Sequence, residues 1–131
     1  MQILGTGVDI VENTRIKTSL RNKLFVDRIF TSNEIALSKK VKNKTNFYSK
    51  RFAAKEAFAK SIGTGFSNGL NFKDISVINN KAGKPSFVIT NKIKKIIKDN
   101  FKVSSFNFFL SISDEKNYSI AFVILQKNNA R

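Results

Sequence analysis

The chain contains neither cysteine nor histidine. Without cysteine there is no disulfide and no thiolate metal site. Without histidine, nucleophile pairs of the Ser-His and Cys-His kind, imidazole bases and histidine-bound zinc are all excluded. A metal, if one is held, must take carboxylate and water oxygens, which points to a hard cation such as magnesium. No apolar run approaches the ~20 residues of a membrane-spanning helix, and the opening Met1-Gln2-Ile3-Leu4 lacks the basic segment of a signal peptide. These absences predict a soluble, cytoplasmic protein that does not enter membranes. Acidic residues are scarce as well: 24 Lys and Arg stand against 9 Asp and Glu, a formal net charge of +15. Such a surplus suits an acidic partner. An AT-rich genome, which makes lysine the default surface residue, produces the same excess, so the charge alone assigns no function.

What is present fits one domain over residues 1–131 with one core, burying roughly two-thirds of the surface of the unfolded chain. No internal repeat or low-complexity block divides it. MQILGTGVDIV alternates as a strand does, with Leu4, Thr6, Val8 and Ile10 on one face and Gly5, Gly7 and Asp9 on the other. A short helix fits from Asn13 to about Leu20 with Asn13 or Thr14 as its cap, and FVDRIF forms another short helical piece. Thr31 and Glu34 have the spacing of a capping box, opening a helix toward Val41. KKVKNKTN is a polar connection to a long helix over about 47–62, closed by Gly63. DISVI and SFVI read as a hairpin around NNKAGKP, and NKIKKIIKDNF as an amphipathic helix. SFNFFLSIS and YSIAFVILQ are alternating strands, the first with Phe106, Phe108, Leu110 and Ile112 on one face and Asn107, Phe109, Ser111 and Ser113 on the other. The predicted class is a compact α+β domain with a mainly antiparallel sheet packed on the long helix.

Three positions carry possible chemistry. Asp9 lies on the glycine-lined face of the first strand, where Gly5 and Gly7 either mark a bulge or leave room for a ligand. Glu56 sits in RFAAKEAFAKSIGTG, a helix apolar on almost every side, with Lys60 one turn on. A surface Glu-Lys pair would be worth a few tenths of a kcal/mol, but that reading expects a polar face which this helix barely has. A buried carboxylate needs a cation, and Lys60 or a metal would serve. Glu34 is accounted for by its capping box. The two GTG triplets, at 5–7 and 63–65, match neither a Rossmann nor a P-loop pattern, and read as backbone able to approach a ligand closely.

GVDIVENTRI (7–16) together with RFAAKEAFAKSIGTG (51–65) closely resembles the two signature motifs of the holo-acyl-carrier-protein synthases, the small stand-alone members of the 4′-phosphopantetheinyl transferase superfamily. The likeness extends through RIFTSNE, NGLNFKDISV, the AGKP turn and the final strand pair. It implies transfer of the phosphopantetheine arm of coenzyme A to a serine of acyl carrier protein, with release of adenosine 3′,5′-bisphosphate, in the service of fatty-acid synthesis. Asp9 and Glu56 match the family's magnesium-binding carboxylates, and Lys60 the lysine that contacts the coenzyme A phosphates. Arg51, Gly63, Thr64, Gly65, and Lys84 and Pro85 of the AGKP turn match positions that line the coenzyme site. Arg15, Arg21 and Arg28 match the surface that docks the acidic carrier. The resemblance also implies a homotrimer with sites at subunit boundaries, which would cover strand residues such as Phe108, Leu110, Phe122 and Ile124.

Phe109 departs from the pattern, standing where many relatives carry histidine near the nucleotide phosphate. It cannot bind phosphate; it either packs on the adenine or lies at a subunit contact. The chemistry needs no histidine, because attack on a pyrophosphate phosphorus builds charge that a cation held by two carboxylates stabilises, with Glu56 able to take the serine proton directly or through water. A nucleic-acid-binding module is the rival class. It is disfavoured because the phenylalanines fall at core periodicity and the lysines are dispersed. A non-catalytic carrier-binding relative is disfavoured by intact Asp9, Glu56 and Lys60.

Overall fold

The computed structural model describes residues 1–129. Strand β1 (Gln2–Glu12) leads into three short helices, α1 (Asn13–Ser19), α2 (Lys23–Ile29) and α3 (Ser32–Ser38), and then the long helix α4 (Lys44–Ile62). A single 3₁₀ turn at Phe72–Asp74 precedes the hairpin β2 (Ser76–Asn79) and β3 (Pro85–Val88). Helix α5 (Asn91–Phe101) and the strand pair β4 (Phe106–Asp114) and β5 (Tyr118–Lys127) complete the chain. β1, β5 and β4 form one antiparallel sheet in that order, and β2 with β3 a separate two-stranded one. The architecture is α+β, as the sequence predicts.

Helix α4 runs across the inner face of the larger sheet, against the fully buried Ala121, Val123 and Leu125 of β5. Phe58 of α4 stacks on Phe108 of β4, with ring centroids 4.3 Å apart, and meets Phe87 of β3 edge-on at 4.8 Å. That aromatic cluster ties both sheets to the helix. Helix α5 adds Ile93, Ile96 and Ile97 to the same core.

Several local expectations are corrected. The alanine-rich helix begins at Lys44, capped by the Asn43 side chain, so the KKVKNKTN connection is shorter than expected. α3 stops at Ser38 rather than reaching Val41. Neither Asn13 nor Thr14 caps α1; the cap residue is Glu12, without a side-chain bond. Asn13 is drawn away because its amide donates to the carbonyls of Glu115 and Lys116 and its oxygen accepts from Ser119, bracing the β4–β5 turn. Phe108 and Leu110 do not belong to an open sheet face but turn inward to the core, and Phe122 and Ile124 face outward with Val8, Ile10, Phe109 and Ile120.

The glycine face of β1 is the inward one. A Cβ on Gly7 would lie 1.9 Å from the Ala57 carbonyl oxygen, and one on Gly5 1.9 Å from that of Ser61. These glycines therefore make room for the backbone of α4, not for a ligand. The spacing has a geometric reason. Two residues of strand advance about 6.6 Å, and four residues of helix about 6 Å. Carbonyls one turn apart thus settle over alternate strand residues.

A second feature was not expected. Lys55 is fully buried, and its ammonium donates to Glu34 Oε1 at 2.8 Å, to the Phe72 carbonyl at 3.1 Å and to the Ile75 carbonyl. Glu34, equally buried, closes the Thr31 capping box and accepts from the Val77 amide at 3.1 Å. Glu34 thus does more than cap α3. Burial pulls the Lys55 ammonium below its ordinary range, and Glu34 opposes that shift. The pair joins α3, α4, the 3₁₀ turn and β2.

The clash at Gly7 is with main chain, so no rotamer change relieves it. Gly7→Ala should lower the urea unfolding free energy by about 3 kcal/mol or more, or prevent folding, at or above the upper end of ordinary overpacking costs of about 1–3 kcal/mol. A loss below about 1 kcal/mol would mean that α4 sits farther from the strand.

Candidate active site

β1 and α4 meet at Asp9, Glu56 and Lys60. The seating of α4 over Gly5 and Gly7 puts the next inward position of β1, Asp9, beside the helix face that carries Glu56 and Lys60. Lys60 Nζ lies 3.2 Å from Asp9 Oδ1 and donates to the Val8 carbonyl at 3.0 Å. The ammonium therefore bridges to the strand instead of pairing with Glu56 along its own helix. Among the described residues Glu56 makes no ion pair.

Both carboxyls are half-buried, and burial is the main reason each is held above its ordinary range. For Glu56 the charge of Asp9 adds to the rise and Lys60 reduces it. For Asp9 the hydrogen bond and charge of Lys60, and the charge of Arg15, pull the other way without cancelling burial. The two acids thus repel each other, and Lys60, with Arg15 near Asp9, offsets their burial only in part.

They open onto a groove of about 320 Å³ lined by Arg15, Ser19, Phe25, Phe52 and backbone neighbours of Asp9. Arg15, expected on a docking surface, lines the same groove as the acids. Phe52 has a sequence signal, since it lies four residues before Glu56. Phe25 had none; it reaches the groove because it packs on Phe52, with centroids 6.1 Å apart. Arg21 is exposed at the end of α1, and Arg28 on α2 borders a neighbouring hollow with Phe66 and Phe72.

The other candidates are not gathered here. Arg51 is buried, donates to Asn79 Oδ1 at 2.8 Å and stacks over Phe47 at 3.8 Å. It faces a hollow with Lys50, Asn79, Gly83 and Pro85. Burial lowers its affinity for its proton, with Glu34 opposing. Its Nε has no partner among the described residues. Lys84, Pro85 and Phe109 line another groove, of about 520 Å³, with Phe122 and Ile124. Gly63 ends α4 in the left-handed region (φ 90°), Gly65 repeats that conformation (φ 59°), and the Thr64 hydroxyl accepts from Asn100. Within one chain the candidate residues therefore form an acid-lysine cluster, with Arg51 at a separate hollow and Lys84, Pro85 and Phe109 at another groove.

Residues 5–123 match the family model of the 4′-phosphopantetheinyl transferase superfamily. A holo-[acyl-carrier-protein] synthase of Pelagibacter ubique is 72% identical, over 97% of this chain and 99% of its own length. The holo-[acyl-carrier-protein] synthase of Neisseria meningitidis superposes with a TM-score of 0.85 at 35% identity, covering 96% of this chain and all of that one (100%). The Bacillus anthracis synthase, solved in complex with CoA (3′,5′-ADP), superposes with a TM-score of 0.81 at 35% identity, covering 98% and 100%. No helix among the described residues is long and apolar enough to cross a membrane. With the two signature segments meeting at one carboxylate pair and the likeness running nearly end to end, the chain belongs to the 4′-phosphopantetheinyl transferase superfamily, among its holo-[acyl-carrier-protein] synthases.

Proposed function

We propose that this enzyme moves 4′-phosphopantetheine from coenzyme A to a serine of apo-acyl carrier protein with magnesium, releasing adenosine 3′,5′-bisphosphate, for cytoplasmic fatty-acid synthesis. The observation that carries this reading is the meeting of two half-buried acids, Asp9 and Glu56, with Lys60 at an open groove. The domain is read as residues 1–131, supported by the family match over 5–123.

The donor set fits magnesium. Asp9 and Glu56 offer only oxygen, both are held toward their protonated forms by burial, and Glu56 lacks a cation. Asp9 and Glu56 are the two carboxylates that would hold the ion; no group of three or more candidate ligands exists among the described residues, which leaves the other positions to water and substrate oxygens. Held by Asp9 and Glu56, magnesium would supply stabilisation of the negative charge that develops on the pyrophosphate. Lys60 adds a point charge for the leaving phosphates. The serine Oγ forms a bond to the phosphorus that carries the pantetheine, the bond from that phosphorus to the bridging oxygen breaks, and Glu56 accepts the serine proton directly or through water. Arg51, Gly63, Thr64, Gly65, Lys84 and Pro85 are assigned to the coenzyme, with Phe109 against the adenine or a subunit contact. Arg15, Arg21 and Arg28 face the acidic carrier.

The working assembly is read as a homotrimer. Val8, Ile10, Phe109, Ile120 and Phe122 leave a contiguous exposed apolar face on the sheet, of the kind that marks an interaction surface. The family resemblance implies that one site would then draw residues from two chains. Light scattering at micromolar concentration should give a trimer mass; a monomer would remove this part of the reading.

The function is tested by mass. Apo-acyl carrier protein incubated with coenzyme A, magnesium and the enzyme should gain one phosphopantetheine, and no gain over a range of metals and pH would overturn the assignment. Glu56→Gln should lose turnover by about 10²-fold or more, in line with acid-base contributions. Normal turnover at saturating magnesium would remove Glu56 from the proton role.

The raised carboxyls also set a stability trend. The metal-free native state holds these protons more tightly than the unfolded chain, so it loses stability as pH rises from near the ordinary 3.8 and 4.5 through the raised values. Metal-free Glu56→Gln should therefore be more stable than wild type at pH 7, by less than about 1 kcal/mol after solvent screening. The difference should vanish below about pH 4, where Glu56 is protonated in both states. Magnesium should raise the wild-type Tm and not that of the variant. A variant less stable than wild type at pH 7 would contradict the account.

A further inference from the structure

We propose that the buried Lys55–Glu34 pair is a register pin for α4, fixing the helix's rotation over β1 so that Glu56 faces Asp9. The inference rests on the reading of Asp9 and Glu56 as one site. It begins from a weakness in the packing. The strip of α4 that lies over β1 is small: the carbonyls of Ala57 and Ser61 rest against Gly7 and Gly5, while the larger buried Phe58 is turned to β3 and β4. Small side chains against glycine permit close approach but offer few knobs on that side, so the fine rotation of α4 toward β1 is set by contacts elsewhere on the helix. One residue of helix is about 100° of rotation, so a shift of one residue would carry Glu56 away from the strand.

Lys55 adjoins Glu56 in sequence, and its ammonium is fully satisfied in the observed rotation. Its three protons have three acceptors: Glu34 and the carbonyls of Phe72 and Ile75. Glu34 is held by two backbone amides, Thr31 and Val77. The acceptor cage therefore belongs to α3, the 3₁₀ turn and Ile75 just before β2, all outside α4. Arg51, one turn earlier on the same face, reaches β2 as well, through Asn79. A buried ion pair need not add net stability, and register is the best-attested use of such groups. Lys55 touches no reacting atom in this account; it is a positioning residue that acts through Glu56.

The test separates rotation from stability. Lys55→Met alone leaves Glu34 buried without its cation and should unfold or gravely weaken the protein, which either role predicts. The deciding variants remove both charges: Glu34→Gln/Lys55→Gln and Glu34→Leu/Lys55→Met. At least one should fold, shown by circular dichroism and a cooperative urea transition. In the folded variant, manganese affinity should fall about tenfold or more, and kcat should fall with the KM for carrier little changed. A second readout needs neither metal nor substrate. The chain has no cysteine, so Asp9→Cys/Glu56→Cys creates the sole thiol pair, and a short bifunctional thiol reagent should join it rapidly when Lys55 and Glu34 are intact. Without that ion pair the rate should fall by about tenfold. An unchanged cross-linking rate in a folded double variant would overturn the proposal, as would unfolding of both double variants, which would make the ion pair a requirement of the fold itself. Absence of cross-linking with Lys55 and Glu34 intact would contradict the juxtaposition of Asp9 and Glu56. Failure of wild type to bind manganese, with the thiol result as expected, would count against the metal reading and leave the pin standing.

Discussion

The site depends on how closely α4 can lie on β1. The carbonyls of Ala57 and Ser61 occupy the space that side chains on Gly7 and Gly5 would fill. No larger residue at either strand position leaves that distance intact. Asp9 then continues the same inward face, and the strand and helix present their acids to each other. The glycines act through absence of volume; neither needs a left-handed conformation for this role.

Close packing brings together charges that the fold would otherwise keep apart. Asp9 and Glu56 repel, and burial disfavours both ions. Lys60 offsets part of this for Asp9. A locally unfavourable arrangement is what a cation-binding or proton-accepting site requires, since a fully satisfied carboxylate has little left to offer. The contrast lies one residue away. Lys55 and Glu34 are buried more deeply, yet their donors and acceptors are matched, and they face no groove. Adjacent residues on one helix thus divide the work between an unsatisfied site and a satisfied anchor.

The site was legible to different depths. Asp9, Glu56 and Lys60 stood out because polar groups interrupt an apolar helix and a glycine-lined strand, and the structure brings the three together. The pairing within them did not follow from spacing: Glu56 and Lys60 are one turn apart, yet Lys60 reaches across to Asp9 and the Val8 carbonyl. Lys55 gave no signal, because a lysine in a helix ordinarily extends to water, and it is kept inside by partners distant in sequence, Glu34 and the carbonyls of residues 72 and 75. Glu34 was readable as a cap since a capping box is local; its tie to Lys55 was not, because the partners are brought together by the fold. Asn13 failed as a cap for the same reason, its amide preferring two carbonyls of the β4–β5 turn.

The sequence by itself determined the alternation of the strands, the α5 amphipathic face, the Gly63 stop and the identities of the two acids. These rest on interactions between residues within a few positions of each other, or on residue chemistry that no fold alters. Tertiary structure decided which face of β1 turns inward, which of the outer-sheet aromatics stay exposed, and where Arg51 and Phe109 lie relative to the acids. It assigned Phe108 to the core and left Phe122 outside. Such choices depend on which surfaces meet across the chain, and alternation alone is equally consistent with either face being buried.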